Sequence, residues 1–329
     1  MDEPERPPLE ERLAELFRSI VGIEQEFTAR ELAEKTGMDL DLGLTVWRAF
    51  GMPEPDLDTS AFDATDVESM RGIQATMDLG VPKEDVIAIA RVFGQVFSRL
   101  AEVEQRMYNR QFIEPMVREG VGVEEIAAQL RPISTVMLPL VEQVIVNAHR
   151  HALDTAIRQV VVSATESTTE ALSVCMVDLV DYSGLSSRID ANELSEVVTR
   201  FEGVAVEQCA QAGIRLAKMI GDAAFFVSPN PEAIWTTASA VVEAVEADDL
   251  LPQARAGLDH GQVLPMEGDY FGHPVNVAAR LVSIADPATI LASRAFSQVL
   301  PPDSVVREPQ GTRELKGVGM VEVFQLQTR

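Results

Sequence analysis

The sequence predicts two folds in one chain: an all-α N-terminal domain followed by an α+β ferredoxin-like (βαββαβ) domain. Three observations carry that expectation. The length, 329 residues, suits two domains of ordinary size, each with a core of its own. From Leu9 to about Thr165 apolar residues recur every three or four positions, the period of a helix face. Behind a polar stretch, SATESTTE (163–170), short β-branched runs take turns with helical stripes. Their order, strand–helix–strand–strand–helix–strand, is that of the split βαβ unit. The expected division falls at 1–165 and 166–329, with residues 138–164 as a linker helix.

In the first half the periodicity marks helices at Glu10–Val21, Thr28–Thr36, Thr65–Leu79, Lys83–Met107 and from Val136 to about Ala164. Thr28 heads TARE, a capping box, and Thr65 heads TDVE. Gly37, Gly51, Gly80 and Gly120 sit where helix ends need a left-handed residue. In the second half LSVCMVD (172–178) is a buried-strand run, and Asn192–Cys209 carries a helical stripe. IRLAKMI (214–220) and AAFFVS (223–228) flank Gly221-Asp222, a hairpin turn. Pro231–Glu246 reads as a helix, QARAGLDHGQVLP (253–265) as a strand and Val275–Ile284 as a short helix.

Composition narrows the function. With 27 Lys+Arg against 52 Asp+Glu the net charge is −25. That balance opposes non-specific binding to nucleic acid or to an anionic membrane surface. No apolar run is long enough to span a bilayer, and the polar, acidic N-terminus is unlike a signal peptide. Cys175 and Cys209 are the two cysteines, which excludes a disulfide framework and a Cys-rich zinc site. The expected location is the cytoplasm.

Asp178 closes the first strand of the second half, and Asp222 stands at the hairpin tip. In the split βαβ order these two points converge at one end of the sheet. Paired carboxylates there suit Mg²⁺ or Mn²⁺ bound together with phosphates; an Asp after Gly is also a common turn residue. Lys218 lies between apolar neighbours in its strand, so it either snorkels to an edge or meets a specific acceptor. In GDYFGHPVNVAARL (268–281), Gly268-Asp269 and Gly272-His273-Pro274 are turn signals. Asn276 and Arg280 follow four apart, on one helix face. An amide beside a guanidinium can hold a ribose and stabilise phosphate charge, although a surface Asn and Arg look the same in sequence. His260 and His273 read as turn or strand-end residues, and the cysteines as buried, reduced packing residues.

Taken together, VDLVDYSGLSS, GIRLAKMIGDAAFF, RAGLDHGQV, GDYFGHPVNVAARL and RELKGVG resemble the class III nucleotidyl cyclase catalytic domain, in order from about Leu172 to Leu326. The resemblance implies conversion of a nucleoside triphosphate to its 3′,5′-cyclic monophosphate and pyrophosphate with two divalent cations, Mg²⁺ or Mn²⁺. It implies that Asp178 and Asp222 bind metal, that Lys218 and Asp269 read adenine, that Asn276 orients the ribose and that Arg280 stabilises the transition state. The expected substrate is therefore ATP. Guanylyl cyclases typically use Glu and Cys at the purine positions, so a guanylyl cyclase is the less fitting alternative. Ala223 stands where Gly is common and Met176 where an aromatic is usual; neither change removes a functional group. In this family the metal aspartates of one catalytic domain face the purine and Asn/Arg residues of another, which implies a homodimer. Arg188, Arg313 and Lys316 are further residues in reach of a triphosphate.

The segment from Phe27 through Val86 resembles a MerR-type helix-turn-helix, which makes a transcriptional regulator with a nucleotide-sensing C-terminal domain the rival reading. Between Phe27 and Ser60, however, Arg30, Lys35 and Arg48 face seven acidic residues, the wrong sign for a recognition surface. The architecture resembles the actinobacterial pH-responsive adenylyl cyclases, which implies that the helical half dimerises and inhibits, and that acid relieves the inhibition. Leu138–Ala164 would transmit the signal, and it holds His149 and His151 among Arg150, Asp154 and Arg158. Imidazole changes charge near neutral pH, so either is a candidate switch. Their two-residue spacing puts them on different helix faces, so at most one should serve.

Overall fold

The computed structural model describes Arg18, residues 21–162 and residues 170–329. The expected first helix and polar hinge fall largely outside the described residues, as does the side chain of Arg158. The chain forms two compact units, residues 1–165 and 166–329.

The described part of the first unit is built from α1 (Ala29–Thr36), α2 (Leu40–Ala49), α3 (Ala64–Asp78), α4 (Lys83–Tyr108), α5 (Glu114–Arg118) and α6 (Val123–Val162), with one π-helical turn, Asn109–Ile113, between α4 and α5. Thr28 caps α1 in a full capping box with Glu31, and Gly37 closes it in the left-handed conformation, φ 72°. The cap of α3 is Asp63, which accepts from the N–H groups of Thr65 and Asp66, so Thr65 lies inside the helix instead of heading it. Helix α2 went unpredicted, although Asp39 caps it by accepting from the Leu42 N–H. Helix α6 starts thirteen residues before Val136 and runs through Pro132 and Pro139. Leu32, Met38, Val46, Phe62, Val67, Met70 and Ala90 form the core of α1–α4, with Trp47 edge-on to Phe62 at 4.8 Å.

The second unit is a mixed α+β fold. Its strands are β1 (Glu170–Leu179), β2 (Arg215–Ile220), β3 (Ala223–Ser228), β4 (Ala254–Met266), β5 (Asp269–Phe271), β6 (Ile290–Ser293), β7 (Val306–Leu315) and β8 (Gly319–Gln327). Its helices are α7 (Tyr182–Ser186), α8 (Ala191–Ala212), α9 (Pro231–Glu246), α10 (His273–Ile284) and α11 (Arg294–Val299). The sheet order is β2-β3-β1-β4-β6-β8-β7, with β5 paired to β4. Its first four strands make the ferredoxin-like unit, with β1 antiparallel to both β3 and β4. Strands β6 to β8 and helix α11 extend it beyond the expected elements.

Strand β1 alternates as a strand covered on both faces must. Cys175, Val177 and Leu179 pack with Phe201 of α8 and Trp235 and Val241 of α9. Leu172, Val174 and Met176 point the other way, toward Ala278 and Val282 of α10. Asp178 continues that second set, so it emerges on the α10 face where the strand ends. Helix α10 lies almost on the backbone of β4: a Cβ on Gly257 would stand 2.3 Å from the Ala278 carbonyl oxygen and 2.4 Å from the Val282 nitrogen. Glycine is the residue that lets this helix seat there.

Candidate active site

The end of β1 and the β2–β3 turn are fastened together through their backbones. Gly221 takes φ 62° to make the turn, and the Leu179 N–H donates to the Asp222 carbonyl at 3.3 Å. This brings the carboxylates of Asp178 and Asp222 side by side. Burial, then repulsion from the Asp222 carboxylate, pushes the Asp178 pKa up to about 6, against the pull of Arg255. Arg255 stands opposite Asp178 in the β1–β4 register and donates to it from Nη2 at 3.3 Å. Its Nη1 donates to the carbonyls of Ser283 and Ala285 at the end of α10, at 3.4 and 3.2 Å. Sequence reasoning missed Arg255, because only the register sets it against Asp178.

Two hard oxygen donors that repel each other form a centre of negative charge that a divalent cation would relieve. The residues present therefore fit the expected Mg²⁺ or Mn²⁺. Among the described residues no group of three or more His, Cys, Asp or Glu side chains is placed to hold a metal. Any cation at the Asp178–Asp222 pair would thus keep open positions for a phosphate.

Lys218 and Asp269, 51 residues apart, meet: the Lys218 Nζ donates to Asp269 Oδ2. A register shift between Leu216 and Lys218 re-aims β2 at this point. Lys218 is opposite Phe225 on β3, with Nζ 6.0 Å from the ring centroid. The other oxygen, Asp269 Oδ1, accepts from the Tyr270 N–H at 2.8 Å. Asp269 is the first residue of β5, and the turn before it is Glu267-Gly268, with φ 52° and 83°. Two positive φ values in sequence fit the tight turn that returns β5 along β4. Both side chains keep partial access to solvent, 36% for Lys218 and 28% for Asp269, so the pair is reachable by a ligand.

Asn276 and Arg280 lie on the exposed side of α10, whose other side buries Val277, Ala278, Leu281 and Val282. Arg280 Nε donates to the carbonyl of Lys316, in the β7–β8 turn, at 3.1 Å. Among the described residues no hydrogen bond joins Asn276 or Arg280 to either pair. The structure thus brings together Asp178 with Asp222 and Lys218 with Asp269, and it carries Asn276 with Arg280 on one helix face. Arg188 is engaged elsewhere, by Asp181 at 2.8 Å and the Gly184 carbonyl at 2.9 Å, and Arg313 is exposed on β7.

His260 is not at a strand end: it lies within β4, half-buried, with Nδ1 2.9 Å from the buried Ser173 Oγ, and burial lowers its pKa. His273 opens α10, so its turn residue is Gly272 alone. His149 and His151 are both exposed on α6, and His149 stands edge-on to Phe93 of α4 at 6.3 Å. Cys175 and Cys209 are free and buried in one core, and burial raises both thiol pKa values, Cys209 to about 12.

The adenylate cyclase regulatory domain profile matches residues 8–154 and the adenylate and guanylate cyclase catalytic domain profile residues 164–328. An adenylate cyclase of Streptomyces coelicolor is 30% identical over 301 residues, 91% of this chain and 77% of the relative. One from Glutamicibacter nicotianae is 27% identical over 335 residues, covering 95% and 82% of the two chains. A pH-sensitive adenylate cyclase of Mycobacterium tuberculosis is 28% identical over 326 residues, covering 94% and 80%. The chain belongs to the class III nucleotidyl cyclases, within the adenylate cyclases that join this regulatory domain to the catalytic one. No helix among the described residues is long and apolar enough to cross a membrane.

Proposed function

We propose that this enzyme converts ATP to 3′,5′-cyclic AMP and pyrophosphate at composite sites of a homodimer in the cytoplasm, under restraint by its helical half. The Lys218–Asp269 pair carries the choice of ATP. An ammonium donates to the adenine ring N1, and a carboxylate accepts from the exocyclic amine. Guanine presents the reverse pattern and would leave both groups facing their like, a mismatch that polar sites reject strongly.

Asp178 and Asp222 would hold two divalent cations, Mg²⁺ or Mn²⁺, which supply charge neutralisation at the triphosphate and acidify the ribose 3′-OH. Asn276 orients the ribose so that its 3′-oxygen lies in line with the α-phosphorus. Arg280 donates to the α-phosphate oxygens as negative charge grows there, the interaction that most favours the transition state over bound ATP. The exposed face bearing Asn276 and Arg280 suits a site completed by a second copy, whose metal carboxylates would lie opposite these two residues and the purine pair of the same chain.

A relative named as pH-sensitive supports control by pH, and in this proposal acid relieves the restraint. His149, set against Phe93, is the better placed of the two candidate switches. Its protonation would put a charge at the α4–α6 contact.

The test is to incubate the purified full chain with Mn²⁺ and ATP or GTP across pH 5–8 and to measure cyclic product. Cyclic AMP should form and exceed cyclic GMP, and Asp222→Ala should abolish it. No cyclic AMP from a preparation shown to be dimeric would overturn the proposal.

A further inference from the structure

Strand β2 carries one member of the purine pair and strand β5 carries the other, and no hydrogen-bonded ladder joins the two strands. Their spacing needs another support, and Arg215, the first residue of β2, supplies one. Its Nη2 donates to the Gly268 carbonyl and its Nη1 to the Tyr270 hydroxyl, both at 3.3 Å. These are the two neighbours of Asp269. The guanidinium also lies 5.6 Å from the centroid of the Tyr270 ring. Tyr270 in turn meets Phe225 edge-on at 6.5 Å, and its N–H holds Asp269 Oδ1. Phe225 is the register partner of Lys218. A closed circuit therefore runs from Lys218 through Phe225 and Tyr270 to Asp269, and Arg215 fastens that circuit to the strand that bears Lys218.

We propose that Arg215 is a specificity-determining positioning residue, which fixes the separation of Lys218 and Asp269 by clamping both neighbours of Asp269 to β2. The proposal rests on the reading of Lys218 and Asp269 as the groups that select adenine. Arg215 touches no substrate atom in this role. Its planar fork spans two acceptors on residues two positions apart, which a lysine's single ammonium cannot hold in a fixed plane. Without the clamp, the β4–β5 hairpin is free to swing, and the donor–acceptor spacing that matches adenine is no longer enforced.

The experiment compares kcat/KM for ATP and for GTP in the full chain with saturating Mn²⁺, for wild type, Arg215→Gln, Arg215→Lys, Tyr270→Phe and Asp269→Asn. Arg215→Gln should lower the ATP-to-GTP ratio by about tenfold, the scale of a small misplacement of binding groups, through loss with ATP alone. Arg215→Lys should recover only part of it. Tyr270→Phe removes one of the two acceptors and should lower the ratio by a smaller factor; it serves as the test if Arg215→Gln fails to fold. General damage would lower both substrates together and leave the ratio intact, which overturns the proposal. An unchanged ratio in Arg215→Gln and Tyr270→Phe beside a collapsed ratio in Asp269→Asn overturns it also, while sparing the purine pair. An unchanged ratio in Asp269→Asn removes the pair's role and this inference with it.

Discussion

Replacing Gly257 by alanine probes how far catalysis depends on where α10 sits. The new Cβ would lie 2.3 Å from the Ala278 carbonyl oxygen, 2.4 Å from the Val282 nitrogen and 2.9 Å from the Leu281 Cβ. Two of these are helix backbone, so no side-chain rotation relieves them. Ordinary contact begins at 3.4 Å, so the helix must lift from β4 by about 1 Å. Asn276 and Arg280 ride on that helix, and a displacement of this size costs about 100-fold in rate when it moves groups that act on the transition state. Overpacking also costs stability, about 1–3 kcal/mol. The assay is kcat for cyclic AMP formation with Mn²⁺, beside the thermal midpoint. Gly261→Ala, on the same strand, is the comparison: its Cβ would meet only the Pro274 Cγ at 3.0 Å, a ring atom that can shift by a few tenths of an ångström, so activity should stay near wild type. A folded Gly257→Ala with wild-type kcat would refute the idea that the seat of α10 on β4 sets the reaction geometry.

Two further outcomes follow from other parts of the chain. Asp259 is 3% exposed, and burial raises its pKa more than Ser293, the His260 N–H and His273 lower it. A raised folded-state pKa favours the native state below the unfolded pKa, and that favour is lost as pH rises through the folded value. Asp259→Asn keeps the acceptor for Ser293 and loses the charge, so it should raise the thermal midpoint at pH 8, with a gain that shrinks as pH falls toward the ordinary carboxylate value; a gain independent of pH would clear the carboxylate of blame. Deleting residues 1–165 should raise cyclic AMP production at neutral pH and flatten its pH profile, and an unchanged profile would end the case for restraint by the helical half.

The catalytic half was legible where neighbouring residues carry both backbone and chemistry. Gly221-Asp222 states a turn and a candidate metal ligand in two letters, and the Asn276–Arg280 spacing states a helix face. What escaped is set by register across the sheet. Arg255 meets Asp178 across 77 residues, and Arg215 meets Gly268 across 53; in sequence each is an arginine in a strand. The unpredicted β7 has a different reason. It ends the sheet, it is almost wholly exposed, and its register shifts between Pro309 and Gly311. An edge strand with a proline and a bulge is protected from pairing with other chains, and the same devices erase the alternation by which strands are read.

The helical half poses the opposite case, a strong pattern whose usual implication its charges oppose. The likeness of its first helices to a helix-turn-helix is a likeness of packing: Leu32, Val46, Phe62 and Met70 set α1, α2 and α3 against one another. Packing carries no sign of charge. The three basic side chains between Phe27 and Ser60 are each engaged within the unit: Arg30 pairs with Asp58 at 3.1 Å, Arg48 lies 3.8 Å from Glu54, and Lys35 stands 4.5 Å over the Phe27 ring. A phosphate backbone would have to compete for each of them against a local partner, on a segment that is already net negative. In the catalytic half the same acidity has the reverse consequence. On the proposed reading, a polyanionic substrate would approach Asp178 and Asp222 only with cations between, so the carboxylate excess that argues against DNA would make a metal requirement strict.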